Sequence, residues 1–292
     1  MRCSRMVWSF IGGFMLFYDA AMENLNNKPG ELTGTTIETY QWNLKKLYDY
    51  SPLLDCSSIG ESVVRDFKMH LQEKGNKPAT VTKALSVFRI FVNRLRKEGL
   101  IENDPFAGVK IGRVYTRRGF LTVRELKMLY LYFTDRQSVL TTEESECVKV
   151  FLFSCFTGLR YSDLQSLTCN EIYDWKIRKQ THKTGEAVYI PIPVQARLLL
   201  PNKLVGNNPV FHVVENSTFN KRLRRAAKKL GFTKYIHCHL ARHTFATTCI
   251  SLGIPLPATS KLLGLRNLDT TLIYAKYVDT FLDKEMRKFN RL

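Results

Sequence analysis

The chain has 292 residues, 45% of them hydrophobic, which is enough for a sizeable core and favours two domains over one. Lys and Arg number 44 against 26 Asp and Glu, a formal net charge of +18. The expected partner is therefore a polyanion, most simply nucleic acid, with a generic basic surface as the alternative. Seven cysteines without a Cys-x-x-Cys pair argue against a disulfide framework and fit free thiols in a reducing cytoplasm.

Residues 1–30 are atypical. The stretch Met6–Phe17 is apolar and follows two arginines, a pattern that also occurs in signal-peptide cores. It is too short to span a bilayer, and secretion fits the charge and the cysteines poorly. We interpret these residues as an atypical N-terminal segment, with the start of a first helix as one reading of the apolar stretch.

Three helices are predicted next, over Thr35–Tyr50, Ser62–Lys74 and Thr80–Glu98, because apolar residues recur in each at helical spacing. Together they would form a small helical bundle with a basic side. That side is either plainly solvated or contacts a DNA backbone, and we favour the second. Its candidate DNA contacts are Lys83, Arg89 and Arg94.

Residues 109–119 are predicted to link two domains. The segment Asn103–Phe106 breaks the helical pattern, and residues 110–118 carry four basic side chains. We interpret this stretch as a linker that runs along the phosphate backbone, with Arg117 and Arg118 as candidate DNA contacts.

The second domain is predicted to begin at residue 120. Thr122-Val123-Arg124-Glu125 forms a capping box, and a buried helix over Glu143–Thr157 follows. Arg160 then precedes a new helix that Ser162 or Asp163 would cap. An Arg beside a helix N-terminus suits an anion, although an Arg after a glycine turn is usually structural.

Alternating apolar residues predict a hairpin in this domain. Its strands cover Trp175–Thr181 and Ala187–Ile192, and Lys183 stands at the entry to the turn. A lysine at a hairpin tip is most often a solvated surface residue.

Three more helices are predicted, over Val194–Leu200, Asn216–Leu230 and His239–Leu252. The middle one carries six cations, the densest basic run of the chain. Its candidate DNA contacts are Arg224, Arg225 and Lys228.

A cysteine between two histidines, at His237–His239, invites a metal interpretation. Adjacent residues on one element point in different directions and chelate poorly, so no metal is expected.

A potential catalytic cluster lies near the end of the chain. His239 and Arg242 are three residues apart on one predicted helical face, and Tyr274 follows a turn that ends at Gly264. A tyrosine can act as a covalent nucleophile, and a neighbouring guanidinium suits phosphate as the electrophile. Taken singly, these residues could equally be a buried aromatic, a salt bridge and a core histidine. Tyr277 is the rival nucleophile, and His243 is interpreted as a packing residue.

Four motifs occur in the order found in the tyrosine recombinases, the phage integrase family. Thr157-Gly158-Leu159-Arg160 resembles the first catalytic arginine motif, and Lys183-Thr184-Gly185 followed by Val188-Tyr189-Ile190-Pro191 resembles the hairpin lysine motif. His239 to Thr247 resembles the His-x-x-Arg box, and Thr270 to Tyr274 resembles the nucleophile motif. Each motif is weak alone, whereas four in order are specific.

The resemblance implies a mostly α fold with a small β-hairpin or sheet in the catalytic domain, an α+β class. Residues 31–108 would form the helical, SAM-like core-binding domain, and residues 120–292 the catalytic domain. It also implies a homo-tetramer on double-stranded DNA at synapsis and a monomer in solution, with no membrane partner and a cytoplasmic location.

The resemblance further implies roles for five residues. Tyr274 would attack a scissile phosphate to give a 3′-phosphotyrosyl intermediate, while Arg160 and Arg242 clamp the developing charge. Lys183 would protonate the departing 5′-oxygen and His239 would assist proton transfer. No cofactor is expected. The implied activity is site-specific recombination for integration or excision of a mobile element.

Two features depart from the family pattern. Leu265 stands where the family usually has His or Trp, and Leu cannot donate a hydrogen bond to phosphate. An additional N-terminal DNA-binding domain, present in many integrases, is not expected here. The alternative function is therefore a non-catalytic DNA-binding remnant or regulator of a mobile element. A type IB topoisomerase would share similar residues.

Overall fold

The computed structural model describes residues 15–27, 30, 32–112, 119–136, 139–183 and 185–275. The chain divides into two compact units, Met1–Thr116 and Arg117–Leu292. The predicted class, mostly α with a small antiparallel sheet in the second unit, is confirmed.

The first unit contains four helices, α1 (Phe17–Asn26), α2 (Gly34–Tyr50), α3 (Glu61–Glu73) and α4 (Pro78–Lys97). Pro78 begins α4 because its fixed φ suits the first helical turn. The core is rich in phenylalanine, and the ring of Phe88 packs edge-to-face on its neighbours, with centroids 5.2 Å from Phe17 and 5.4 Å from Phe106.

Helix α1 belongs to this core. Phe17, Ala20, Ala21 and Leu25 are buried, and the backbone N–H of Phe17 donates to the carbonyl of Leu54 at 2.8 Å. The helical unit therefore begins before residue 31. Most of the apolar stretch Met6–Phe17 lies outside the described residues.

The second unit contains α5 (Val123–Arg136), α6 (Thr142–Thr157), α7 (Tyr161–Gln165), α8 (Val194–Arg197), α9 (Asn216–Lys229), α10 (Cys238–Ser251), α11 (Leu256–Leu262) and α12 (Asp269–Ala275). Helix α6 is buried and packs against α9 and α10. A capping box of Thr141 and Glu144 begins it, and Gly158 ends it with φ of 73°.

The sheet of this unit has the order β1 (Ile172–Tyr173), β2 (Lys176–Gln180), β3 (Ala187–Pro191), all antiparallel. Ile177 lies opposite Ile190 and faces the core, whereas Arg178 lies opposite Tyr189 on the outer face. The predicted hairpin is thus present, and β1 is a short third strand.

The cap of α7 was predicted in part. Arg160, and not Ser162 or Asp163, has the extended backbone of the N-cap. Asp163 occupies the third helical position, and its Oδ2 accepts a 3.4 Å hydrogen bond from the backbone N–H of Arg160, as in a capping box. Within the described part of the chain, no helix is long and apolar enough to cross a membrane.

Candidate active site

Arg160 lies at the start of α7, directly after the Gly158 turn. Its side chain is 13% exposed, and its Nη1 is 3.7 Å from Oδ2 of Asp163, which is fully buried. Among the described residues, no acceptor lies within hydrogen-bonding distance of that buried Nη1. A buried donor without an acceptor is costly, so this atom is suited to bind an anion.

Asp163 also holds the hairpin, and sequence reasoning considered it only as a helix cap. Its Oδ1 accepts a 2.9 Å hydrogen bond from the backbone N–H of His182, the residue before Lys183. One buried carboxylate thus fixes the arginine and the base of the lysine turn. An acid three residues after Arg160 was the available signal.

Lys183 is exposed in the turn between β2 and β3, and its positive charge is close enough to His239 to lower the pKa of that imidazole. Burial lowers the pKa of His239, and the positive charges of Lys183 and Arg242 lower it further. His239 is therefore neutral at neutral pH and able to accept a proton.

Arg242 lies one turn further along α10 and joins two loops. Its Nη1 donates to the carbonyl of Gly158 at 2.8 Å, and its Nη2 donates to the carbonyl of Leu263 at 2.5 Å. Burial and the nearby Arg160 lower its pKa to about 10, so it remains cationic at neutral pH. A guanidinium has five N–H donors, so two main-chain bonds leave others for a ligand.

Both glycine turns of the site require glycine. A Cβ on Gly158, with φ of 73°, would lie 2.5 Å from the ring of Phe245. A Cβ on Gly264, with φ of 58°, would lie 2.6 Å from Cγ1 of Val188 in β3. The turn before Leu265 therefore packs directly on the hairpin that carries Lys183.

Tyr274 lies in α12 and is 4% exposed. Its hydroxyl is 2.9 Å from Nδ1 of His243, with the ring centroids 5.5 Å apart. Its phenolate form would raise the pKa of Arg242, so the phenol lies within electrostatic reach of the guanidinium. Sequence reasoning took His243 as a packing residue, and nothing in its local pattern indicated this contact.

Leu265 is partly buried and packs against the apolar cluster that contains Tyr274, Phe245 and Leu263.

The structure therefore gathers the five predicted catalytic residues in one unit. The charge of Arg160 lowers the pKa of Arg242, the phenolate form of Tyr274 would raise it, and the charges of Lys183 and Arg242 lower the pKa of His239. The rival Tyr277 and the rest of residues 276–292 lie outside the described residues. No group of three or more His, Cys, Asp or Glu suited to a metal occurs among the residues that the structure describes.

The basic helix α9 has two different faces. Lys229 Nζ lies 2.6 Å and Arg225 Nε 3.7 Å from the buried carboxylate of Glu144 in α6. Arg224 donates to the Tyr235 hydroxyl at 2.6 Å and stays exposed, as does Lys228. All four side chains are exposed, but Arg225 and Lys229 pair with Glu144 across the contact of α9 with α6, whereas Arg224 bonds to Tyr235.

The other candidate DNA contacts differ in exposure. Lys83 is exposed, and Arg89 is exposed with its guanidinium 5.7 Å from the Phe106 ring centroid. Arg94 is half-buried and donates to the side chain of Asn24 at 3.2 Å. Arg117 and Arg118 lie outside the described residues.

Neutralising the two faces of α9 should have different effects. We expect Arg224→Gln with Lys228→Gln to reduce the slope of log affinity for DNA against log salt by about 2, because two phosphate contacts are lost. Arg225→Gln with Lys229→Gln should instead cost about 1 kcal/mol of stability, because the buried Glu144 carboxylate loses two cations whose attraction is screened by solvent at 60% and 42% exposure. Salt titrations of DNA binding and thermal unfolding of both double variants test this; an unchanged slope for the first would place its face away from DNA.

Comparison with known proteins relates both units to one family. The model of the phage integrase family matches residues 120–280, and the phage integrase SAM-like domain matches residues 14–112. A tyrosine recombinase of Thermosipho africanus is 26% identical over 259 residues, covering 84% of this chain and 89% of that protein. Tyrosine recombinase XerC of Bacillus subtilis is 27% identical, covering 86% of this chain and 87% of that protein.

Solved structures share the fold at lower identity. The Tn1549 transposon integrase in complex with a circular intermediate DNA has a TM-score of 0.71 at 15% identity, covering 89% of this chain and 95% of that one. A lambda integrase tetramer bound to a Holliday junction has a TM-score of 0.70 at 18% identity, covering 87% and 76%. The family model alone spans more than half of the 292 residues. The chain belongs to the phage integrase family and is a tyrosine recombinase, an enzyme that breaks and rejoins DNA.

Proposed function

We propose that the chain performs site-specific recombination through a 3′-phosphotyrosyl intermediate on Tyr274. The observation that carries this proposal is the buried Nη1 of Arg160, which has no acceptor among the described residues and lies in the same site as Arg242 and Tyr274. Two desolvated guanidiniums repel each other, and a phosphate between them would relieve both the repulsion and the missing hydrogen bond.

The chemistry follows from where charge develops. When the Tyr274 oxygen attacks phosphorus, negative charge gathers on the non-bridging oxygens, and Arg160 and Arg242 stabilise it. Lys183 protonates the departing 5′-oxygen, and His239, neutral because its pKa is lowered, assists proton transfer and binds the phosphate. The phosphotyrosyl bond conserves the energy of the cleaved bond for attack by another strand's 5′-hydroxyl.

A nicked suicide substrate tests this proposal. Cleavage releases a short strand that cannot return, so a covalent protein–DNA adduct accumulates and appears on a denaturing gel. Tight binding of the cognate site without any adduct would instead support the alternative, a non-catalytic DNA-binding remnant, for which Leu265 is the favouring feature. Strand exchange between two duplexes, rather than relaxation alone, separates a recombinase from a type IB topoisomerase.

Leu265→His should accelerate cleavage. A missing donor at a transition-state oxygen typically slows a reaction about 100-fold, so restoring it should raise the single-turnover rate by up to about that factor with little change in DNA affinity. Leu268→His, at an exposed position nearby, is the matched control. A lower rate in Leu265→His would show that Leu265 serves by packing beside Tyr274.

The biological reaction we propose is integration or excision of a mobile element in the cytoplasm. Two proteins of the same fold support this proposal, since one is the Tn1549 transposon integrase and the other is the lambda integrase. The name of the relative XerC describes a tyrosine recombinase and not an integrase. Recombination between the two junctions of an inserted element, scored against recombination between two identical sites, tests which reaction this chain performs.

We further propose that the chain is a monomer in solution and a tetramer on paired DNA sites. Residues 279–292 carry an apolar stripe of Phe281, Leu282, Met286 and Phe289 at roughly helical spacing. The catalytic unit has an apolar groove of about 770 Å³ between α5, α10 and the end of β3, with Leu131 and Leu252 exposed at its surface. The C-terminal segment of a neighbouring copy would fill this groove.

Deleting residues 279–292 should prevent synapsis and spare binding to a single site. Leu131→Asp with Leu252→Asp should have the same effect, because both side chains are exposed and their replacement does not disturb the core. Native gels with one and with two sites measure both properties. Four protomers on paired sites with either variant would refute the docking.

A further inference from the structure

The hydroxyl of Tyr274 contacts a residue for which the family resemblance gave no role. Its oxygen is 2.9 Å from Nδ1 of His243, one residue after Arg242 on α10. The two rings face each other at 5.5 Å with an interplanar angle of 46°. A nitrogen at this distance is within reach of the phenolic proton.

A phenol needs such an acceptor. Its ordinary pKa is near 10, so at neutral pH it must lose its proton as it attacks. Tyr274 is 4% exposed, which limits the access of water that would otherwise take that proton. The neighbouring cationic Arg242 favours the phenolate that forms.

Leu265 makes the contact more significant. Leu265, which packs against the cluster that contains Tyr274, is aliphatic and cannot accept a proton. His239 is one helical turn before His243 on the same helix, with Lys183 and Arg242 as its charged neighbours. The geometry thus places one histidine toward the hairpin lysine and the other at the nucleophile.

We propose that His243 is a catalytic residue that accepts the proton of Tyr274 through Nδ1 during strand cleavage. As the bond between the phenolic oxygen and phosphorus forms, the bond from phosphorus to the 5′-oxygen breaks. The Tyr274 proton moves to Nδ1, which requires the tautomer with its proton on Nε2, and the 5′-oxygen takes a proton from Lys183. Rejoining reverses both transfers. This inference rests on the proposed function.

A sulfur-substituted substrate separates the two proton transfers. Replacing the bridging 5′-oxygen by sulfur gives a leaving group that departs as a thiolate without a proton. The sulfur substrate should therefore restore cleavage in a variant that lacks the acid for the leaving group. It should not restore cleavage in a variant that lacks the base for the nucleophile.

The experiment measures single-turnover adduct formation on oxygen and sulfur substrates for the natural protein, His243→Asn and Lys183→Ala. Asparagine keeps a polar atom near the position of Nδ1 but cannot take up a proton at neutral pH. We expect His243→Asn to be slower by about 100-fold or more on both substrates, and Lys183→Ala to be slow only on oxygen. His212→Gln, at an exposed histidine before α9, should cleave at the natural rate.

DNA affinity and thermal unfolding show whether each variant is folded, and His243→Gln replaces His243→Asn if the latter is not. The inference is overturned if a folded His243 variant cleaves at the natural rate, or if the sulfur substrate restores its cleavage as it does for Lys183→Ala. In either case an adduct formed by the natural protein still supports the proposed function. If the natural protein forms no adduct on either substrate, the proposed function and this inference both fall.

Discussion

Tyr274→Phe should abolish the covalent adduct and leave DNA binding near its natural strength. The change removes one oxygen from a side chain that is 4% exposed and keeps the ring in its apolar cluster. Losing the hydrogen bond to His243 should cost about 1 kcal/mol of stability, too little to unfold the protein. Denaturing gels of the suicide-substrate reaction and binding isotherms measure the two effects.

Two other tyrosines provide controls for this prediction. Tyr235→Phe changes an exposed tyrosine that accepts a hydrogen bond from Arg224, and the adduct should persist. Tyr277→Phe should also retain it. An adduct that survives Tyr274→Phe and disappears with Tyr277→Phe would move the nucleophile to residue 277.

Arg160→Ala should slow cleavage by about 100- to 1,000-fold and weaken DNA binding far less, because its buried Nη1 acts on charge that develops in the transition state. Its loss should also lower stability, because the fully buried Asp163 carboxylate loses the cation 3.7 Å away. Single-turnover kinetics, affinity and thermal unfolding measure the three properties.

Arg242→Ala is the informative comparison. It should slow cleavage as strongly and lower the melting temperature for a different reason, because the carbonyls of Gly158 and Leu263 lose their donor. Equal losses of binding and cleavage in Arg160→Ala would make that residue an ordinary phosphate contact.

Much of the fold was predictable because its causes are local. The helical spacing of α2, α3 and α4, the capping box at Thr122 and Glu125 and the strand alternation of the hairpin all lie within short windows of sequence. Helix α11 was not predicted, because its seven residues lie between two turns and hold little periodicity.

The missing parts of the site depend on long-range contacts. His243 and Tyr274 are 31 residues apart, Asp163 and His182 are 19 apart, and Lys229 and Glu144 are 85 apart. No periodicity within one helix reports such contacts, so nothing in the sequence around His243 indicates its contact with Tyr274. For the same reason the sequence gives no sign that Arg225 pairs with Glu144 of α6 while Arg224 does not.

The two main-chain hydrogen bonds of Arg242 bear on which residues would be kept if selection for DNA cleavage were lost. A descendant that no longer cut DNA but still had to fold would retain Arg242, since that guanidinium holds the Gly158 and Leu263 loops together. Lys183 is exposed on its turn, and we propose a role for it only in catalysis, so it would be replaced sooner. Under that proposal, a relative that keeps Arg242 but has lost the hairpin lysine would be folded and inactive, whereas a relative that keeps the lysine would still cleave DNA.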